Sequence, residues 1–264
     1  MKKITIIGNW KLNGTKNLVK KFSKKINLKF KKYSKFINIV LSPPYVYIDR
    51  MRKKIKDKKN IFLGSQNTDL RKSGAYTGEI SVNMLKDIGV KYIFIGHSER
   101  RIYHKENNKK ISKKFKIVKD NKLIPILCIG ETKKEKKYKL TKVILKKQIK
   151  KIFNLCGKNA FKNSYIAYEP VWAIGSGKSA SIKDINKVHQ FIKDYIFKKS
   201  KINNNYKKNF YIQYGGSVTE DNALEIISQK NVDGLLIGAN SLNYKKFLKI
   251  IDIVYKYYKN KYNV

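Results

Sequence analysis

The sequence predicts an α/β protein, a (β/α)8 barrel forming a single domain over residues 1–264, and three observations carry that expectation. Short β-branched runs recur eight times, with Lys-rich amphipathic stretches between them. The runs are nearly continuous in apolar character, as parallel strands covered on both faces must be. Dividing 264 residues by eight gives units of about 33, the length of a strand with its return helix, and an eightfold barrel takes roughly 250 residues.

In order, strands are expected at 3–7, 37–41, 61–65, 92–95, 124–128, 165–168, 210–213 and 234–237. The first follows a Met-Lys-Lys opening. Its apolar stretch is only four residues and no small-residue cleavage site follows, so it reads as a strand and not as a signal peptide. Helical patterns fill the gaps, most clearly over 15–31, 108–120 and 183–202. The segments 133–137 and 203–208 are charge- or Asn-rich and read as solvated helix ends and loops. No Pro- or Ser-rich linker interrupts the alternation. A doubly wound sheet would need a Gly-rich phosphate fingerprint after the first strand. Gly8-Asn9-Trp10-Lys11 stands there instead, and the barrel is preferred.

Composition narrows the function. A hydrophobic fraction of 42% excludes disorder despite a net charge of +43. No apolar run approaches the ~20 residues of a membrane span. Two cysteines, Cys128 and Cys156, exclude a disulfide scaffold and a Cys-rich metal site. A basic surface invites a nucleic-acid reading, but only five of the 61 basic residues are Arg, the residue of bidentate recognition. The lysines run through nearly every segment, and Asn, Ile and Tyr are rich where Ala, Arg and Pro are poor. That pattern fits compositional drift better than a selected polyanion surface. The expectation is a soluble cytoplasmic protein with no membrane association and no specific nucleic-acid partner.

In a barrel the chemistry gathers where strands end. The chain places Asn9-Trp10-Lys11 after strand one and Gly96-His97-Ser98-Glu99-Arg100-Arg101 after strand four. Tyr168-Glu169-Pro170 ends strand six and leads into a Gly-bearing loop to Lys178. Tyr214-Gly215-Gly216-Ser217 ends strand seven, and Gly238-Ala239-Asn240 ends strand eight.

With Gly-Ala-Tyr-Thr-Gly-Glu from Gly74 to Glu79 and Cys-Ile-Gly-Glu-Thr at 128–132, these segments resemble the triosephosphate isomerases. They run in that family's order from residue 8 to about 242. The resemblance implies interconversion of dihydroxyacetone phosphate and glyceraldehyde 3-phosphate, without metal or organic cofactor, by a homodimer. It makes Glu169 the general base, since moving a proton between adjacent carbons needs one group that serves both. His97 becomes the electrophile: the helix expected to start at Ser98 disfavours a cationic ring, and a neutral imidazole can donate to the substrate oxygens. Lys11 is aimed at the developing oxyanion, with Asn9 beside it and Glu99 and Ser98 in support. Phosphate falls to Asn9, Lys11, Gly175, Ser217, Gly238 and Ala239, through amides that small residues let approach a dianion. Residues 170–178 read as a lid, with Pro170 and Gly177 near its hinges, and the 74–79 loop as the protrusion that enters the partner subunit. His104 and His189 read as structural or solvated.

One departure stands out. The family usually has Gly-Gly-Ala-Ser after strand eight, and this chain has Gly238-Ala239-Asn240-Ser241. A negative φ at Ala239 is expected, since a positive one would strain a residue with a Cβ and a working site keeps a usable geometry. Two other functions compete. A non-enzymatic polyanion binder on a decayed barrel would not need Lys11, His97 and Glu169 together. An aldolase would want a Schiff-base lysine within a strand.

Overall fold

The computed structural model describes residues 3–55, 59–200 and 209–263; the expected 203–208 loop and the end of the expected 183–202 helix lie outside them. Eight strands form: β1 (Ile4–Asn9), β2 (Ile37–Ser42), β3 (Ile61–Ser65), β4 (Val90–Ile95), β5 (Ile124–Ile129), β6 (Ser164–Tyr168), β7 (Phe210–Tyr214) and β8 (Gly234–Ile237). They pair in parallel and in chain order, and β1 meets β8 to close the barrel. At the closure Thr5 pairs with Gly234. A Cβ at Gly234 would collide with the Thr5 carbonyl, so the seam requires glycine.

Alternate strand residues fill the inside of the barrel, among them Ile7, Val40, Phe94, Ile126, Tyr165 and Leu236. The other face of each strand meets the surrounding helices in a larger apolar layer. The outer ring holds α1 (Lys16–Tyr33), α2 (Tyr45–Ile55), α3 (Val82–Asp87), α4 (Ser98–Tyr103) and α5 (Asn108–Asp120). It continues with α6 (Lys133–Lys137), α7 (Thr141–Cys156), α8 (Ile182–Ser200), α9 (Ala223–Ile227) and α10 (Tyr244–Lys261). Helix α1 shows how a Lys-rich segment still docks. Val19, Phe22, Ile26 and Tyr33 fall on one face and are fully or almost fully buried, while the lysines take the wet face. Each such side chain contributes roughly 1.5–3 kcal/mol on burial. Thr15 caps this helix, accepting from Leu18 N.

Two local differences from the sequence expectations have physical causes. Several strands run one or two residues further at the C-terminal end than apolar content suggested. β1 continues through Asn9, which pairs with Ser42, because a closed ladder satisfies the backbone of polar residues as well as apolar ones. The 133–137 segment, expected as a solvated helix end or loop, is solvated but forms a short helix of its own. Thr132 and Glu135 form a reciprocal capping box, with each side chain accepting from the other residue's amide.

Candidate active site

The residues singled out at the strand ends converge on one cavity of about 380 Å3 at the C-terminal mouth of the barrel. Asn9, Lys11, His97, Glu169, Gly175, Ser217, Gly238 and Ala239 all line it. Glu99 and Ser98 stand behind this lining.

Lys11 sits just beyond β1 with φ of 52°, a left-handed conformation that is costly for a side chain with a Cβ. The turn is held from both sides. Its amide donates to Asn9 Oδ1 at 3.0 Å, and its carbonyl accepts from Gln66 Nε2 at 2.9 Å. The ammonium then crosses the mouth to Glu99 Oε1, 2.6 Å away.

His97 follows β4 and is the N-cap of α4, its Nδ1 accepting from Glu99 N at 3.3 Å. That bond leaves the proton on Nε2, which lies 3.4 Å from Glu169 Oε1. The expectation that the helix terminus lowers the ring's basicity meets a stronger opposing effect. Burial pushes the His97 pKa down, but the Glu169 carboxylate more than offsets this and the net direction is upward. Reciprocally, burial pushes Glu169 up, while the charge and hydrogen bond of His97 bring it net below the usual carboxylate value. His189, by contrast, is driven by burial down to about 4, its Nδ1 held by the Asn231 carbonyl. It is a neutral packing residue away from this chemistry.

Glu169 is 2% exposed, and its Oε2 has no hydrogen-bond partner among the described residues. Two glycines make its place. A Cβ at Gly215 would stand 2.8 Å from Glu169 Cγ, and one at Gly130 would overlap the Glu169 carbonyl. Ser98 borders a small recess behind the carboxylate, with Cys128 and Gly130. The result is a desolvated carboxylate with one idle oxygen, facing an imidazole N–H and an ammonium. Such an arrangement can take a proton from carbon while neutralising charge that builds on oxygen.

The opposite end of the cavity is made of backbone. Gly175 and Ser217 have φ of 69° and 47°, and among the described residues the amides of Gly175, Ser217 and Ala239 donate to no protein acceptor. Unpaired amides on residues that line one volume suit an oxyanion. Ala239 is not among the residues with positive φ; it opens a single 3-10 turn, Ala239–Ser241. The methyl is accommodated without strain.

The 170–178 segment begins with a 3-10 turn, Val171–Ala173, and is tethered within its first half and just beyond its end. Trp172 Nε1 donates to Glu131 Oε1 at 2.9 Å, Ser217 Oγ to the Ala173 carbonyl at 2.5 Å, and Ala180 N to Tyr214 Oη at 2.8 Å. Gly175 and Gly177 both need left-handed φ, with nothing near a Cβ. These glycines serve conformation and not space.

Sequence reasoning missed several supports. Glu131 joins Tyr168 and Trp172, and its place in the 128–132 motif was the available signal. Gln66, which bridges the Lys11 and Ser42 carbonyls, carried none. Nor did Lys114, which is 2% exposed in a chain whose lysines otherwise read as solvated. It donates to Glu106 Oε1 and Asn67 Oδ1, both at 2.7 Å, and Arg100 shares the same Glu106 oxygen at 2.8 Å. This buried cluster fixes α5 beneath α4 and so fixes the platform of His97.

Comparison with known proteins agrees with this geometry. The family model described as Triosephosphate isomerase matches residues 4–254. The triosephosphate isomerase of Buchnera aphidicola subsp. Cinara cedri is 56% identical over 254 residues, covering 96% of this chain and 99% of that protein. That of Blochmanniella floridana is 49% identical over 255 residues, 96% of each chain. A barrel with these residues at its mouth, matched over nearly its whole length, belongs to the triosephosphate isomerase family.

Proposed function

We propose that this chain interconverts dihydroxyacetone phosphate and D-glyceraldehyde 3-phosphate by proton transfer through an enediolate. The observation that carries the reading is Glu169, a buried carboxylate with an unpartnered Oε2 facing His97 and Lys11 across one cavity. Glu169 takes a proton from one carbon of the triose and returns it to the neighbour, so no atom is gained or lost overall. His97 Nε2–H donates to the oxygens as electron density moves onto them, and the Lys11 charge stabilises the same oxygens. Asn9 and Glu99 hold Lys11 in place. Amides of Gly175, Ser217, Gly238 and Ala239 receive the phosphate, and the 170–178 lid keeps water from the enediolate.

The active form is a homodimer joined through the 74–79 loop, in a single-domain chain that works in the cytoplasm. Leu12, next to Lys11, is 96% exposed, and Tyr76 at the loop tip is half exposed, so apolar surface flanks the site where a second copy would cover it. Among the described residues no helix is long and apolar enough to cross a membrane. Nucleic acid is not a specific partner. The test is a coupled assay with glyceraldehyde 3-phosphate in deuterated water. Turnover with solvent deuterium entering carbon is expected, because a carboxylate holding the proton exchanges it. Absence of turnover by the purified full chain would overturn the reading.

A further inference from the structure

Two loops that must act together at the phosphate end of the cavity are joined by a side chain that neither chemistry nor packing otherwise requires. Asn240 Nδ2 donates to the Val218 carbonyl at 2.8 Å, linking the turn after β8 to the turn after β7. One residue earlier, Asn222 Nδ2 donates to the Ser217 carbonyl at 3.0 Å, and Asn222 Oδ1 accepts from Thr219 N at 2.9 Å. One backbone group of each of three consecutive residues, Ser217 O, Val218 O and Thr219 N, is thus held by a side-chain amide. Val218, Ala239 and Asn240 all line the cavity.

The carbonyls matter as much as the amides. A dianion surrounded by flexible loops meets C=O groups as readily as N–H groups, and a carbonyl turned inward repels it. Ser217, at φ of 47°, is already in a conformation that its neighbours must enforce. With the Ser217 carbonyl held by Asn222 and the Val218 carbonyl by Asn240, the two peptides that follow Ser217 are fixed, and its left-handed turn is kept in place. The family pattern noted above has alanine where Asn240 stands, and alanine cannot make this bond.

We propose that Asn240 is a positioning residue for the substrate phosphate. It clasps the β7 turn to the β8 turn so that the Ser217 and Ala239 amides face one anion. This rests on reading that end of the cavity as the phosphate site. Pre-organised amides bind without first spending energy on ordering their loops. The ligand chemistry is a phosphate dianion, whether carried on a triose or free.

The test compares wild type with Asn240→Ala. Calorimetric titration with inorganic phosphate reads the site alone, kinetics with glyceraldehyde 3-phosphate read the whole substrate, and D-glyceraldehyde reads the chemistry without a phosphate. Loss of one neutral hydrogen bond corresponds to roughly a 2–12-fold change. Phosphate Kd and triose phosphate KM are expected to rise together within that range, with D-glyceraldehyde turnover unchanged. An unchanged phosphate Kd would overturn the proposal. A parallel fall in D-glyceraldehyde turnover would also overturn it, by showing general damage to the site. If wild type binds phosphate but does not isomerise, the isomerase reading falls and the Kd comparison still decides the clasp. If wild type binds no phosphate, the clasp falls with it.

Discussion

The chemistry assigned to Glu169 depends on where one carboxylate oxygen stands, and that makes it sensitive to a single methylene. Asp at 169 would withdraw the oxygen by about 1 Å within a space that Gly215 leaves for the longer side chain. We expect Glu169→Asp to lower kcat ~10²-fold, since misplacement on this scale costs about that much, while KM moves little. Steady-state kinetics check it, and a near-normal kcat would remove Glu169 from its role. Ala239 poses the opposite case. Its backbone lies outside the left-handed region, and under the proposed function the amide and not the methyl meets the phosphate, so Ala239→Gly should change KM only a few-fold. A large fall in KM would show the methyl obstructing the site.

At the scale of elements, the tethers of the 170–178 segment, the proposed lid, decide how firmly it holds its place. Tyr214 Oη accepts from Ala180 N where the lid rejoins the barrel. Tyr214→Phe removes that acceptor and keeps the ring, and it should lower kcat/KM by roughly 2–12-fold, one neutral hydrogen bond. An unaltered kcat/KM would mean that the tether is idle. Beneath His97, Glu106→Gln leaves Lys114 buried without a charge partner and should cost about 3–5 kcal/mol in unfolding free energy. The pH sign follows from the carboxylate. Burial pushes Glu106 up, but the bonds from Lys114 and Arg100 bring its folded pKa below the ordinary value of 4.5. Its contribution is therefore present above about pH 4.5 and lost as pH falls through the lower folded value. Denaturant melts of wild type should show that loss, and Glu106→Gln should lack it. The strands were legible from their β-branched runs and the site from the polar residues that follow them, because both signals are local. The supports were not. Gln66 reaches Lys11 and Ser42, Lys114 reaches Asn67 and Tyr214 reaches Ala180, partners 24 to 55 positions away, and only closure of the barrel brings them together. The capping box at Thr132 and Glu135 was local and legible, but it was hidden by reading a run of lysines only as a solvated helix end or loop.

The whole molecule carries a charge that its acids cannot balance, 61 basic residues against 18 acidic. Partnered acids exist, as where Asp252 accepts from Lys29, Lys32 and Tyr33 between α1 and α10. Most lysines nevertheless face water, and each adds to a long-range self-repulsion. Two copies joined through the 74–79 loop would bring two such charges together, so repulsion opposes both folding and assembly. Screening acts on exposed charges beyond about 10 Å at 0.1 M salt and beyond about 3 Å at 1 M. Buried contacts such as Lys114 with Glu106 are shielded from solvent ions and barely change. Raising salt from about 0.01 M to about 0.2 M should therefore raise Tm and tighten the dimer, the reverse of a protein stabilised by surface ion pairs. The same change should abolish any nucleic-acid binding, which diffuse lysine charge makes weak, sequence-blind and steeply salt-dependent. Calorimetry and sedimentation across that salt range test both halves. Removal of residues 74–79 should yield monomers of impaired activity at every salt concentration, because the missing contact is shape and not charge. A Tm that falls with salt would mean that the surface acids outweigh the lysine repulsion, and tight binding to a defined nucleic-acid sequence at about 0.15 M salt would mean that the basic surface was selected.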